Sequence, residues 1–178
     1  MRHRRIQLAA AVAVVSIVSV VATTALAGGG QNVRAKLIGF EEVPSVSTVA
    51  SGKFSARIDR SAQMIEYELS FEDLEANSLF AHIHLGQRTA NGGVSVFLCG
   101  GGDKPACPAT SGTVEGTIDP TDVIGPTGQG IAPGEFEELV RAIRAGVTYA
   151  NVHSAKFPGG EIRGQITGGG DDEDDDDD

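Results

Sequence analysis

Gly52-Lys53-Phe54-Ser55-Ala56-Arg57-Ile58, the break Asp59-Arg60-Ser61-Ala62, and Met64-Ile65-Glu66-Tyr67-Glu68-Leu69-Ser70-Phe71 decide the fold class. Phe54, Ala56 and Ile58 alternate with polar neighbours, and Ile65, Tyr67 and Leu69 alternate with Glu66, Glu68 and Ser70. A period of two sends successive side chains to opposite faces, so each run reads as a strand with one buried face. The polar break between them reads as a hairpin turn.

The same texture continues outward on both sides. Short β-patterned runs at 33–40, 79–85, 94–99, 113–118, 147–153 and 161–166 are separated by Gly, Pro, Asn and Asp. With the first two they make about eight strands, which predicts a mainly β fold, an antiparallel Greek-key-like sandwich or barrel. Ala90-Asn91-Gly92-Gly93 reads as a hairpin turn centred on Asn91-Gly92. One segment breaks the pattern: over 133–144, Phe136, Leu139, Val140 and Ile143 recur at helical spacing. Pro133 suits a first helical turn, Glu135, Glu137 and Glu138 suit the helix N-terminus, and Gly146 stops it. One amphipathic helix is therefore expected to pack on the β structure or to plug one end of it.

The two ends are of a different kind. Arg2, Arg4 and Arg5 precede an apolar stretch from 6 to 21, and Ala25-Leu26-Ala27 follows. A basic start, a short apolar run and an A-x-A site in that order read as a signal peptide over 1–27, cleaved after Ala27. The apolar run is short for a membrane span, so no stable span is expected after cleavage. A linker at 28–32 then leads into a folded domain at 33–167. Eight consecutive carboxylates, 171–178, dominate a tail at 168–178 expected to be disordered, because they repel one another and bury nothing. Clustered carboxylates can bind calcium loosely; a solvated tail that keeps the chain soluble is the plainer use. The formal net charge is −10. Without the signal and the tail it is −5, from 11 basic and 16 acidic residues. That balance excludes a nucleic-acid partner, whose phosphates need a basic face.

Two features carry chemistry. The two cysteines, Cys99 and Cys107, are expected to pair as a disulfide in an exported chain. Leu79-Phe80-Ala81-His82-Ile83-His84-Leu85-Gly86 places His82 and His84 on one face of a strand and Ala81, Ile83 and Leu85 on the other. Two neutral imidazoles on a rigid strand can hold one metal ion. The third ligand would be His153, in Tyr149-Ala150-Asn151-Val152-His153, where Tyr149, Asn151 and His153 share a face. If the strands are neighbours the three form a copper or zinc site; the alternative is three hydrogen-bonded structural histidines. Pro158-Gly159-Gly160 is turn chemistry, and Glu161 and Arg163 share the polar face of the strand after it, placed for a structural ion pair. A Gly-x-Ser-x-Gly elbow, a phosphate-binding glycine loop and a His-Glu-x-x-His helix are all missing from the sequence, so no catalytic residue is assigned.

The order of motifs resembles a known family. Leu37-Ile38-Gly39-Phe40-Glu41-Glu42-Val43-Pro44, the His82-Ile83-His84 strand, 94–98, the helix ending at Ala145-Gly146, and the close Val147–Ser154 with Pro158–Ile166 look like the CHRD (chordin-like) domain, over about 34 to 166. The resemblance implies an extracellular β-rich domain. In chordin such domains accompany modules that sequester growth factors, but that ligand does not carry over to this chain. A fainter likeness is to copper/zinc superoxide dismutases, which also carry a His-x-His strand in a Greek-key barrel with a disulfide. This chain has no spare histidine for their second metal position. The leading expectation is a secreted or cell-envelope, non-catalytic binding or structural module. Its ligand is unidentified and it needs no cofactor; its contacts would come from the polar strand face and the loops at 86–93 and 100–110. The alternative is a mononuclear copper or zinc protein using His82, His84 and His153.

Overall fold

The computed structural model describes residues 30–168. The expected signal peptide lies outside the described residues, as does the acidic tail apart from Gly168. Nine strands form one antiparallel sheet: β1 (Gln31–Ile38), β2 (Ser51–Asp59), β3 (Met64–Glu72), β4 (Ser78–Leu85), β5 (Gly93–Cys99), β6 (Gly112–Ile118), β7 (Thr148–Ser154), β8 (Ile162–Gln165) and β9 (Thr167–Gly168). Their spatial order is β5-β4-β7-β8-β1-β2-β3-β6, with β9 continuing β8 alongside β1. The chain leaves β3, lays the β4–β5 hairpin at the far edge and returns to put β6 beside β3. The result is the expected Greek-key-like, nearly closed barrel.

The alternation read from β2 and β3 holds residue by residue. Phe54, Ala56, Ile58, Ile65, Tyr67, Leu69 and Phe71 are buried, while Lys53, Ser55, Arg57, Glu66 and Glu68 face out. Asp59 closes the hairpin, its Oδ1 accepting from the backbone N–H groups of Ser61 and Ala62. All eight expected strands are present, with three local corrections. β1 stops at Ile38, and Gly39–Glu41 turns as a short 3-10 helix that leaves Phe40 exposed. The β4–β5 connection is a loop over 86–92 whose turn lies at Gln87–Ala90, not a tight turn on Asn91-Gly92. The helix α1 spans Phe136–Arg144 and starts three residues later than expected. Gly134 has φ +87, outside right-handed helix, so Pro133 belongs to a turn before it. Phe136, Leu139, Val140 and Ile143 are buried as their spacing requires. Arg144 donates to Gln31 and Arg60 to Glu137, which seats α1 over the barrel end where β1 begins and β2 turns into β3.

Closure at the β5/β6 seam does not use a strand ladder. Ile124 donates its N–H to Ser95 O (2.9 Å), Gln129 Oε1 accepts from Gly93 N–H (2.7 Å), and Tyr67 donates its hydroxyl to Leu98 O (2.6 Å). These bonds cover an edge that would otherwise present unpaired backbone. Cys99, at the end of β5, and Cys107, in the segment before β6, are disulfide-bonded, as expected, with Cα atoms 5.1 Å apart. Burial pushes the Tyr67 phenol up to about 12, so it stays a donor. Tyr67→Phe is expected to lower stability by about 1–2 kcal/mol, because it leaves a buried carbonyl without a donor. A change within the error of a urea titration would show that the seam does not depend on this bond.

Candidate metal centre

Register builds the site. In antiparallel pairs, residues directly opposite share a face. Phe97 lies opposite His82, His82 opposite Asn151, and Asn151 opposite Arg163, which makes one row across β5, β4, β7 and β8. The next row is Val94, His84, Tyr149 and Gln165, and His153 lies opposite Phe80. Ala81, Ile83, Ala150, Val152 and Ile162 point the other way and are fully buried in the core. The strands carrying His82, His84 and His153 are thus neighbours, and one ring nitrogen from each lies within 4.8 Å of the others.

This face is polar yet covered. Exposures of His82, His84 and His153 are 5%, 7% and 6%. Three loops overlie it. The segment after β1 brings Glu42, itself buried; the loop over 86–92 brings the carbonyl of Gly92; the loop before β8 brings that of Pro158. A side chain at Gly92 would collide with the carbonyl of Leu85, and one at Gly160 (φ +129) would collide with the Glu42 carboxyl, so both approaches need glycine. Of the two loops expected to make contacts beside this strand face, the one over 86–92 lies across the face and covers it.

The backbone sets the ring tautomers. His84 Nδ1 lies 2.9 Å from Gly92 O, and His153 Nδ1 lies 3.0 Å from Pro158 O. A carbonyl only accepts, so each ring carries its proton on Nδ1 and leaves the Nε2 lone pair free. Such orientation by backbone acceptors is usual for metal-binding imidazoles. His82 Nδ1 is 3.2 Å from His153 Nε2, and His84 Nε2 has no hydrogen-bond partner among the described residues. His84 stacks on Tyr149, and Phe80 and Phe97 close over His82. Burial, reinforced by the neighbouring imidazoles, pushes His82 down to about 3. Burial also takes His153 to about 4 and lowers His84, against the hydrogen bonds their Nδ1–H groups donate to the Pro158 and Gly92 carbonyls. All three are neutral near pH 7, the form that binds metal.

Sequence reading missed the support. Arg163, 1% exposed, packs its guanidinium 3.4 Å from the Tyr149 ring centroid. It donates to Gln87 O (2.8 Å), Ala90 O (2.9 Å) and Asn91 Oδ1 (3.4 Å). Glu161 accepts instead from Thr48 Oγ1 and Glu75 N–H, both at 2.9 Å. The expected Glu161–Arg163 ion pair is therefore not made; each side chain pins a different loop. Burial raises Glu42 to about 7, although the Arg163 charge pulls it down. Asn151 was legible only as a neighbour of His153 on the strand, and nothing in the spacing of Glu42 marks it.

An antiparallel barrel with a buried imidazole cluster under three loops is the class that fold and site define. At the level of families, residues 33–166 match the CHRD domain, and the chain belongs to that family. CHRD domains are not known as enzymes. Searches of curated proteins and of solved structures returned no match. Among the described residues no helix is long and apolar enough to cross a membrane.

Proposed function

We propose that this chain is an exported, non-catalytic CHRD domain whose ligand is one copper or zinc ion held by His82, His84 and His153. One observation carries it: three buried neutral imidazoles converge, two of them with their Nδ1–H groups committed to backbone carbonyls. Burying three imidazoles with a lone pair left unpartnered is costly for a structural cluster and useful for a ligand set. Export rests on the signal-like start of the chain, read from sequence.

The test is metal analysis of the full chain purified from its exported fraction. About one zinc or copper per chain is expected, absent from His82→Ala and His153→Ala. Returning the metal to chelator-treated protein at 100-fold above its Kd should add about 2.7 kcal/mol, a melting shift on the order of 10 °C. Metal-free protein whose melting point ignores both ions would sink this function and leave a binding module of other ligand.

A further inference from the structure

The cluster contains a fourth donor atom. Asn151 is 2% exposed, and its Oδ1 lies 3.1 Å from His153 Nε2. Pro158 O holds the His153 proton on Nδ1, so at this contact an amide oxygen faces a nitrogen lone pair. Turning the carboxamide over would relieve the clash of acceptors. The structure nevertheless keeps the amide oxygen on the imidazole side. Asn151 lies directly across the strand pair from His82 and beside His153, so it adjoins two of the three rings. A hydrogen on His82 Nδ1 can serve His153 Nε2 at 3.2 Å but does nothing for Asn151 Oδ1. A cation among these lone pairs satisfies all of them together.

Resting on the three-histidine function above, we propose that Asn151 Oδ1 is the fourth ligand of the ion. Metal–nitrogen and metal–oxygen bonds of about 2.0–2.2 Å in a tetrahedron put neighbouring ligand atoms roughly 3.3 Å apart. The 3.1 and 3.2 Å separations at His153 Nε2 already match that spacing. The widest separation among the histidines, 4.8 Å, closes as the ion draws the rings in. Four protein donors leave no position for water or substrate, which is the mark of a structural site and not of a catalytic one. The ion then acts as a fastener for the loops that supply Gly92 and Pro158, whose carbonyls hold His84 and His153.

Cobalt(II) in the full chain reports coordination number directly. The wild-type chain is expected to give the intense visible bands of a four-coordinate ion, unmoved by added azide. Asn151→Ala should bind cobalt roughly tenfold to a hundredfold more weakly and acquire an azide-dependent spectrum, since water takes the vacated place. Asn151→Asp should restore both the bands and their indifference to azide. Azide-sensitive bands in the wild-type chain would overturn the fourth ligand, and so would an Asn151→Ala chain with unchanged affinity and spectrum. In either case loss of cobalt in His82→Ala would leave the three-histidine site standing. A wild-type chain that takes up neither cobalt nor zinc would overturn both.

Discussion

Arg163→Met is expected to lower the unfolding free energy by about 3–5 kcal/mol, seen as a lower urea midpoint at unchanged slope. Methionine nearly fills the space, so a cavity is not the main loss. Two carbonyls, Gln87 O and Ala90 O, lose the donor that holds the 86–92 loop to the sheet, at about 1–3 kcal/mol each if they stay buried. The Tyr149 ring loses the cation over its face, a contact of up to about 2 kcal/mol when desolvated. Replacing a buried charge with an apolar group can be neutral where its partner charge goes too. Here two of the acceptors are backbone oxygens and cannot be removed. Arg163→Lys, which keeps the charge and loses the planar fork, should fall between wild type and Arg163→Met. A loss below about 1 kcal/mol for Arg163→Met would show that the loop is held by something else.

Strand alternation made most of the barrel legible because it reports which way each side chain points. Ala81, Ile83 and Leu85 against His82 and His84 is a fact of the pleat, and so is Tyr149, Asn151 and His153 on one face. Alternation does not report what lies over that face. An outer row of polar residues reads the same whether water or a loop covers it, so Arg163 and Glu161 looked like a surface pair when both are buried. Their partners come from 73 to 113 residues away, at Gln87, Ala90, Thr48 and Glu75, and no local pattern encodes contacts at that range. The pairing of β4 with β7, which turns His82, His84 and His153 from a list into a cluster, is a tertiary fact of the same kind. The late start of α1 is a smaller case. Proline at 133 favours a first turn in general, and Gly134 at positive φ decides otherwise here.

Acid should destabilise the metal-free protein by about 2–3 kcal/mol between pH 6.5 and 4.5, with a steeper loss below 4.5. His82 and His153 have folded values of about 3 and about 4 against an ordinary 6.5. Through this window the unfolded chain takes up protons that the folded one refuses, so their stabilisation is complete above 6.5 and lost as pH falls. Glu42 works the other way. Its folded value of about 7 against an ordinary 4.5 means the folded state holds a proton that the unfolded state gives up, so acidification across the same window favours folding. Two histidines against one carboxyl leave a net slope of about 1.4 kcal/mol per pH unit, and His84, also lowered by burial, adds in the same direction. Below 4.5 both states hold the Glu42 proton, its opposition ends, and the slope roughly doubles until His153 protonates in the fold. The check is urea unfolding across pH 4–7 in chelator. Stability that stays level or rises between 6.5 and 4.5 would mean that these imidazoles are not buried as described. Metal should not share the usual acid sensitivity. An exposed three-histidine site loses its ion below pH 6.5 as its ligands protonate, whereas these rings are already neutral in the folded state, so the affinity of the folded chain should fall much less over that range.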